Sequence, residues 1–128
     1  MRKPNYPIFI SILVLLSILI TGCNQQSKIN ISEALTKTEK EISNLDKVES
    51  TVSAFGGKNV KFRILMEEPP TKEDAIKLFN KTLDTISNFT NDSEIWNYYN
   101  AKLDISYGDE IKYEANKLAD ADLKVKAK

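Results

Sequence analysis

Hydrophobic residues change their spacing three times between residues 31 and 125, and this changing period constrains the fold more than any other feature. From residue 31 to 45 they recur every three or four positions, which predicts a helix with one apolar stripe. From residue 48 to 66 they alternate with polar residues on either side of Gly56-Gly57. Two alternating runs around a glycine turn predict a β-hairpin.

The helical spacing then returns. Pro69-Pro70 ends the hairpin, and Thr71 is placed to cap a second helix predicted over residues 72 to 89. Asn91-Asp92-Ser93 has the composition of a turn. The second half of the chain therefore starts as the first half does, with a helix.

A second alternating pattern runs from residue 95 to 125 around Gly108-Asp109, and it predicts a second hairpin. Leu118 falls out of this alternation, so we expect a bulge or break near residues 117 to 118. Both a strand and a helix fit residues 114 to 122, because the alternation favours the strand and the composition favours the helix.

Helix, hairpin, helix, hairpin is the order αββαββ of a small α+β domain. The simplest packing is a four-stranded antiparallel sheet with both helices on one face. Residues 29 to 128 supply 100 residues for this fold, which is enough for one modest core. We therefore expect a single small domain over that range.

The first 22 residues differ in kind from the rest. Met1-Arg2-Lys3 is positive, and the apolar run from Ile8 to Ile20 is interrupted only by two serines. This run is shorter than the roughly 20 residues that a membrane-spanning helix needs. A positive head, a short apolar run and small residues predict a secretory signal. The alternative is an uncleaved anchor helix.

The signal ends in Ile20-Thr21-Gly22-Cys23, which resembles the lipobox of bacterial lipoprotein precursors. That motif has an aliphatic residue, a small residue, Gly or Ala, and Cys, although Thr21 is less common there than Ala or Ser. The resemblance covers residues 1 to 23. It implies that the thiol of Cys23 receives a diacylglyceryl group and that a dedicated signal peptidase cleaves after Gly22.

The same resemblance implies a location. Residues 1 to 22 would be a signal peptide, and residues 23 to 28 a polar tether that carries the lipid on Cys23. The protein would then sit on the extracytoplasmic side of the cell membrane. In a cell with two membranes, Asn24 after the lipidated cysteine would suggest the outer membrane.

The composition excludes several classes of function. The chain has no His and one Cys, which rules out His-based catalytic triads, His-ligated metal sites and an intramolecular disulfide. No calcium-loop or phosphate-loop motif occurs, so we expect no metal and no cofactor other than the covalent lipid on Cys23. Eighteen basic and eighteen acidic residues argue against non-specific nucleic-acid binding. Removal of residues 1 to 22 leaves a net charge of −2 and no sign of a second, electrostatic membrane signal.

Three carboxylate pairs are the remaining candidates for catalysis: Glu67-Glu68, Asp109-Glu110, and Asp120 with Asp122 on one face of the last strand. Acid–base chemistry needs two carboxyl groups in contrasting environments. Nothing in the sequence indicates such a contrast. We therefore expect solvated surface carboxylates and no enzymatic activity.

The more informative surface is the sheet face that two helices on one side would leave open. The expected covered face carries Val52, Phe62, Ile64, Leu103 and Ile105. The expected open face carries Thr51, Ser53, Phe55, Lys61, Arg63, Leu65, Trp96, Tyr98, Asn100, Lys102, Asp104 and Ser106. Amphipathic aromatic residues are common at recognition surfaces, so Trp96 and Tyr98, beside Arg63 and Lys102, form a candidate binding surface. The alternative is that Trp96 packs on an edge or under the tether and Tyr98 is an ordinary strand residue.

These features predict a small lipid-anchored extracytoplasmic lipoprotein with a binding or structural role in the bacterial envelope. Its expected partners are the membrane, through the anchor, and another envelope protein, a peptide or wall material. One alternative is a carboxylate-dependent hydrolase of envelope polymers. The other is an accessory subunit of a transporter, although 100 residues are too few for the usual two-lobed cleft.

Overall fold

The computed structural model describes residues 30–128. The expected signal peptide (1–22), the lipidation site Cys23 and the tether (23–28) lie outside the described residues. The elements in chain order are α1 (Ile31–Ser43), β1 (Val48–Gly56), β2 (Asn59–Met66), α2 (Lys72–Thr90), a short 3₁₀ helix (Ile95–Asn97), β3 (Asn100–Tyr107), β4 (Glu110–Lys117) and β5 (Leu123–Ala127). The expected α+β class and the two helices are confirmed.

Helix α1 begins directly after its capping residue, Asn30. The Asn30 side chain accepts a hydrogen bond from the backbone N–H of Glu33 at 3.0 Å. This bond satisfies one of the free N–H groups of the first turn. The buried stripe of the helix consists of Ile31, Ala34, Leu35, Thr38 and Ile42. The apolar spacing in the sequence thus becomes the face that packs on the sheet.

Helix α2 is held at both ends by side-chain and backbone caps. Thr71 and Asp74 form a reciprocal capping box at its start, and Asn91 ends it in the left-handed conformation (φ 56°). Its buried face consists of Ala75, Phe79, Thr82, Leu83, Thr85, Ile86 and Thr90. The observed range matches the predicted one to within a residue.

The sheet differs from the expectation in strand number and in direction. It has five strands in the order β1-β2-β3-β4-β5, and β2 pairs with β3 in parallel while the other neighbours are antiparallel. The expectation of four antiparallel strands is therefore wrong. The physical reason is that α2 carries the chain back along the sheet, so β3 starts at the same end as β2.

The second hairpin is also shorter than predicted at both ends. Residues Ile95–Asn97 form a 3₁₀ helix, so β3 begins only at Asn100. Beyond Lys117 the chain turns through Asp120, which has a positive φ of 58°, and returns as β5. The open question about residues 114 to 122 is answered by a strand followed by a turn. The expected bulge or break near residues 117 to 118 is a break, because β4 ends at Lys117 and Leu118 lies in the turn that follows.

The core lies between the two helices and one face of the sheet. Its largest fully buried side chains include Phe62, Ile64, Leu103 and Ile105 from the sheet and Ile42, Phe79 and Ile86 from the helices. Within residues 30–128, no buried side-chain nitrogen or oxygen lacks a hydrogen-bond partner. In the same stretch of chain, no helix is long and apolar enough to cross a membrane.

Candidate functional site on the open sheet face

The second face of the sheet is not covered by either helix. Along β2, the buried residues Val60, Phe62 and Ile64 alternate with the exposed residues Lys61 and Arg63. Since neighbouring side chains of a strand point to opposite faces, the exposed set lies on the side away from the helices. We call this surface the open face.

The strand register arranges the open face in rows that cross the sheet. The first row, which we call the lysine row, consists of Ala54, Lys61, Lys102, Asn116 and Lys124. The second row, which we call the mixed row, consists of Val52, Arg63, Asp104, Glu114 and Lys126. Residues that pair directly across neighbouring strands lie about 5 Å apart and interact.

Charges in the mixed row compensate one another. The Arg63 guanidinium donates from Nε to Asp104 Oδ1 at 2.7 Å and from Nη2 to Oδ2 at 3.1 Å. This two-point hydrogen bond with the carboxylate raises the pKa of Arg63. Lys128 approaches Glu114 at 3.5 Å, and Lys126 pairs across the strands with the same glutamate. Each carboxylate of this row therefore has a cation beside it.

The lysine row has no such compensation. Lys61 and Lys102 are register partners on the parallel strands, and Lys124 lies two strands further along beyond Asn116. All three lysines are exposed, and none takes part in the ion pairs formed within residues 30–128. Like charges placed directly opposite each other destabilise a sheet. The row thus concentrates positive charge that the folded domain itself does not neutralise.

In β1, the residues that simple alternation places on the covered face lie on the open face, and those that it places on the open face point toward α1. Val52 was expected on the covered face, yet it is 57% exposed and pairs with Arg63 on the open face. Thr51 and Ser53 instead face α1: the Thr51 hydroxyl donates to the Glu39 carbonyl oxygen at 2.9 Å, and the Ser53 N–H donates to Glu39 Oε1 at 3.0 Å. The register shift between residues 48 and 50 moves all later β1 side chains to the other face.

A depression of about 260 Å³ lies on the β1–β3 part of the open face. Its lining consists of Val52, Ser53, Ala54, Lys61, Phe62, Arg63, Lys102 and Asp104. Two of the sequence-predicted site residues, Arg63 and Lys102, therefore come together here. The lining combines the apolar side chains of Val52 and Ala54 with the cationic side chains of Lys61, Arg63 and Lys102, which suits an anionic or amphipathic ligand.

Trp96 does not join them, so the expectation that it lies on the open face is wrong. It belongs to the 3₁₀ helix, and its indole Nε1 donates to the Leu83 carbonyl oxygen of α2 at 3.1 Å. Its ring is half-buried against the core on the helix-covered side. Tyr98 directly follows the 3₁₀ helix and precedes β3, so the expectation that it is a strand residue is wrong, although its side chain is 59% exposed. The sequence contains one indication of this difference: Asn97 interrupts the alternation of apolar residues, so the strand pattern does not extend through residue 96.

The carboxylate pairs are exposed and lie apart. Glu68 forms an ion pair with Lys47 at 2.9 Å, which raises the pKa of the lysine. Glu110 forms one with Lys112 at 2.7 Å, and the hydrogen bond from the ammonium lowers the pKa of Glu110. Asp120 lies in the β4–β5 turn, where the expected alternation with Asp122 on one strand does not exist.

A second depression of about 460 Å³ lies where β2 leads into α2. Its charged lining consists of Asp46, Lys47, Glu68, Asp74, Lys77 and Lys81. Acids and lysines occur there in equal number, so this depression has no net charge to select a ligand. Across residues 30–128, no group of three acidic or thiol side chains is placed to hold a metal ion.

The open face can thus recognise a ligand by charge and by a small apolar surface. Its lysine row contributes three cations that form no ion pair within residues 30–128, and Val52 contributes exposed apolar surface. No family model, curated protein or solved structure matches this chain. The residues of the open face and the motif at Cys23 are therefore the basis for assigning a role.

Proposed function

We propose that this chain is a small bacterial lipoprotein, held on the extracytoplasmic side of the membrane by a lipid on Cys23. Its role in the envelope is binding or structural. The binding surface is the open face of the sheet, with Arg63 and Lys102 among its residues. The membrane is one partner through the anchor, and an envelope component meets the open face.

Support for the anchor comes from how the sequence is organised around Cys23. A 13-residue apolar run and a lipobox-like motif precede this cysteine, which is the only one in the chain. The described domain begins at Asn30, seven residues later, with a formed helix cap. A signal, a lipidation site and a short link to a folded domain are the parts that an anchored protein needs. Two or more acyl chains hold a protein stably on a bilayer, whereas one does not.

The open face is the single structural observation that supports the binding role. Both helices pack on one side of the sheet, and the other side exposes a row of lysines that lack partners within residues 30–128. Exposed side chains of one charge, placed next to one another, weaken the fold unless a ligand compensates them. The lysine row does not stabilise the fold, so we assign it to recognition of a ligand.

The test of the anchor is Cys23→Ala in the full chain, expressed in a bacterium supplied with a radiolabelled fatty acid. We expect the wild-type chain to take up label and to lose residues 1 to 22. The variant should remain a full-length, unlabelled precursor, because the thiol that accepts the lipid is absent.

The matched control is Thr21→Ala, which places the more common small residue in the lipobox. It should be processed and labelled at least as efficiently as the wild type. Labelling and cleavage of the Cys23→Ala variant would contradict the proposal.

A further inference from the structure

The start of α1 shows which end of the sheet lies nearest to the anchor. Helix α1 runs antiparallel to β1, since its C-terminal end leads into that strand and Glu39 bonds with Thr51 and Ser53. Ile31 lies eight residues before Glu39, a helical rise of about 12 Å. The same distance along β1 reaches the region of Gly56. The chain therefore enters the domain beside the β1–β2 turn, and we call this the entry end.

The lysine row lies toward the entry end. Lys61 is the third residue after the β1–β2 turn, and Lys102 is its register partner near the start of β3. Lys124 sits at the start of β5, beyond the β4–β5 turn at the same end. Three of the exposed large apolar side chains also belong to this end: Phe55 (45% exposed), Tyr98 (59%) and Leu118 (63%). Cations and exposed apolar side chains together characterise surfaces that meet a membrane interface.

The link to the anchor is short. Seven residue steps separate Cys23 from Asn30, and an extended chain of that length spans at most about 25 Å. A lipid on Cys23 would therefore keep the entry end close to the phospholipid headgroups. The free side of the domain, with its acidic residues near the β2–α2 connection, would point away from them.

The two rows of the open face are positively charged, whereas the rest of the domain is negatively charged. Residues 30–128 contain fifteen basic and eighteen acidic residues, a net charge of −3. The lysine row and the mixed row together carry five basic and two acidic residues, a net charge of +3. The remainder carries ten basic and sixteen acidic residues, a net charge of −6. A negative surface would attract the two rows and repel the rest, which orients the domain.

We propose that the lysine row docks on the anionic phospholipid headgroups of the leaflet that holds the anchor. The proposal rests on the proposed function, because the anchor supplies the proximity. The envelope component that the open face meets at the entry end is then the phospholipid surface. Lys61, Lys102 and Lys124 each gain an anionic neighbour that the fold does not provide. The attraction acts within a Debye length, about 8 Å at physiological salt, so it requires direct approach of the row to the surface.

The attraction of one lysine to an anionic leaflet shifts the docking equilibrium about fivefold, so the three lysines of the row together should shift it about 100-fold. The experiment uses the mature lipidated chain, incorporated in vesicles of phosphatidylcholine alone or with phosphatidylglycerol. Amine acetylation followed by peptide mass spectrometry measures the accessibility of each lysine. We expect acetylation of the row to fall at least about threefold on the anionic vesicles and to recover in 0.5 M salt. Lys72, Lys77 and Lys81, exposed on α2, should react equally in both.

Variants test the orientation independently. Trp96 is the only tryptophan, so energy transfer from its indole to a dansyl-labelled headgroup reports the approach of the domain to the bilayer. Transfer should rise on the anionic vesicles for the wild type. The rise should vanish in a variant carrying Lys61→Gln, Lys102→Gln and Lys124→Gln. The matched control, Lys72→Gln with Lys77→Gln and Lys81→Gln, removes the same charge and should keep the rise.

Flotation separates failure of the anchor from failure of the docking. A chain that does not float with neutral vesicles has no anchor, which overturns the proposed function and the docking that rests on it. A chain that floats with both vesicles, yet shows equal acetylation and equal transfer, overturns the docking alone. Protection by soluble polyphosphate on neutral vesicles, without protection by phosphatidylglycerol, would assign the row to an anionic polymer instead. Protection that depends on protein density in the bilayer would assign it to a second copy; both results overturn the membrane proposal.

Discussion

Two leucine-to-alanine substitutions test whether the helix-covered face is the core. Leu83 on α2 is 6% exposed, and its contacts join the cluster that fills the space between helices and sheet. Leu118 in the β4–β5 turn is 63% exposed. Removing the buried side chain loses its transfer free energy and leaves a cavity, which together cost about 2 to 5 kcal/mol. The same truncation in the turn should change the free energy of unfolding by less than about 0.5 kcal/mol.

The effect of the buried substitution should be large on the scale of this domain. Domains of this size have a free energy of unfolding of about 5 to 15 kcal/mol. A loss of 1 kcal/mol lowers the melting temperature by about 4 to 8 °C, so a cost of about 2 to 5 kcal/mol means that Leu83→Ala should lower it by roughly 8 to 40 °C. Urea and thermal unfolding of the full chain in mild detergent can be followed by the fluorescence of Trp96, whose indole bonds with the carbonyl of Leu83. Equal effects of the two substitutions would refute the assignment of the core.

Two further predictions concern the turn at the entry end and the open face. Gly57 has a φ of +59°, in the left-handed region, whereas Gly56 does not, and a side chain at either position would have open space around it. Gly57→Ala should therefore lower the free energy of unfolding by about 1 to 2 kcal/mol, and Gly56→Ala by less than about 0.5 kcal/mol. Urea unfolding of the two variants measures the difference. For Arg63 and Asp104, a double-mutant cycle with alanine should give a coupling of about 1 kcal/mol or less that shrinks in high salt, because the arginine is half-exposed. A coupling that does not respond to salt would contradict this.

The helices were predictable from the sequence because local chemistry determines them. The three- and four-residue spacing located both buried stripes, and Thr71 marked the start of α2 through the capping box that it forms with Asp74. The end of α1 was predicted two residues late, at residue 45, while the helix ends at Ser43. Helix ends depend on a few backbone hydrogen bonds, so they are less well determined by the apolar pattern.

Strand direction was not predictable from alternation, since alternation is the same in parallel and antiparallel strands. The information lay in the connection. Helix α2 has 19 residues and a length of about 28 Å, which matches the length of an eight-residue strand such as β2. A connection of that length returns the chain to the start of β2, and the next strand then runs parallel to it.

The candidate site was predictable only where the strands are regular. Lys61, Arg63 and Lys102 lie on the face that alternation assigned to them, because β2 and the first part of β3 contain no irregularity. Val52 lies on the other face, because one extra residue near the start of β1 reverses the pattern for the rest of the strand. The compensation of Arg63 by Asp104 and the isolation of the lysine row depend on the register between strands, which no single strand encodes.

The mass of the native mature chain, purified from a bacterial membrane, tests the central claim most directly. We predict that its N-terminal residue is Cys23, that residues 1 to 22 are absent, and that the first peptide carries the added mass of a diacylglyceryl group. That result would show the lipid anchor on the residue to which the sequence assigns it. A chain that retains Met1, or that begins at Cys23 with an unmodified thiol, would contradict the account.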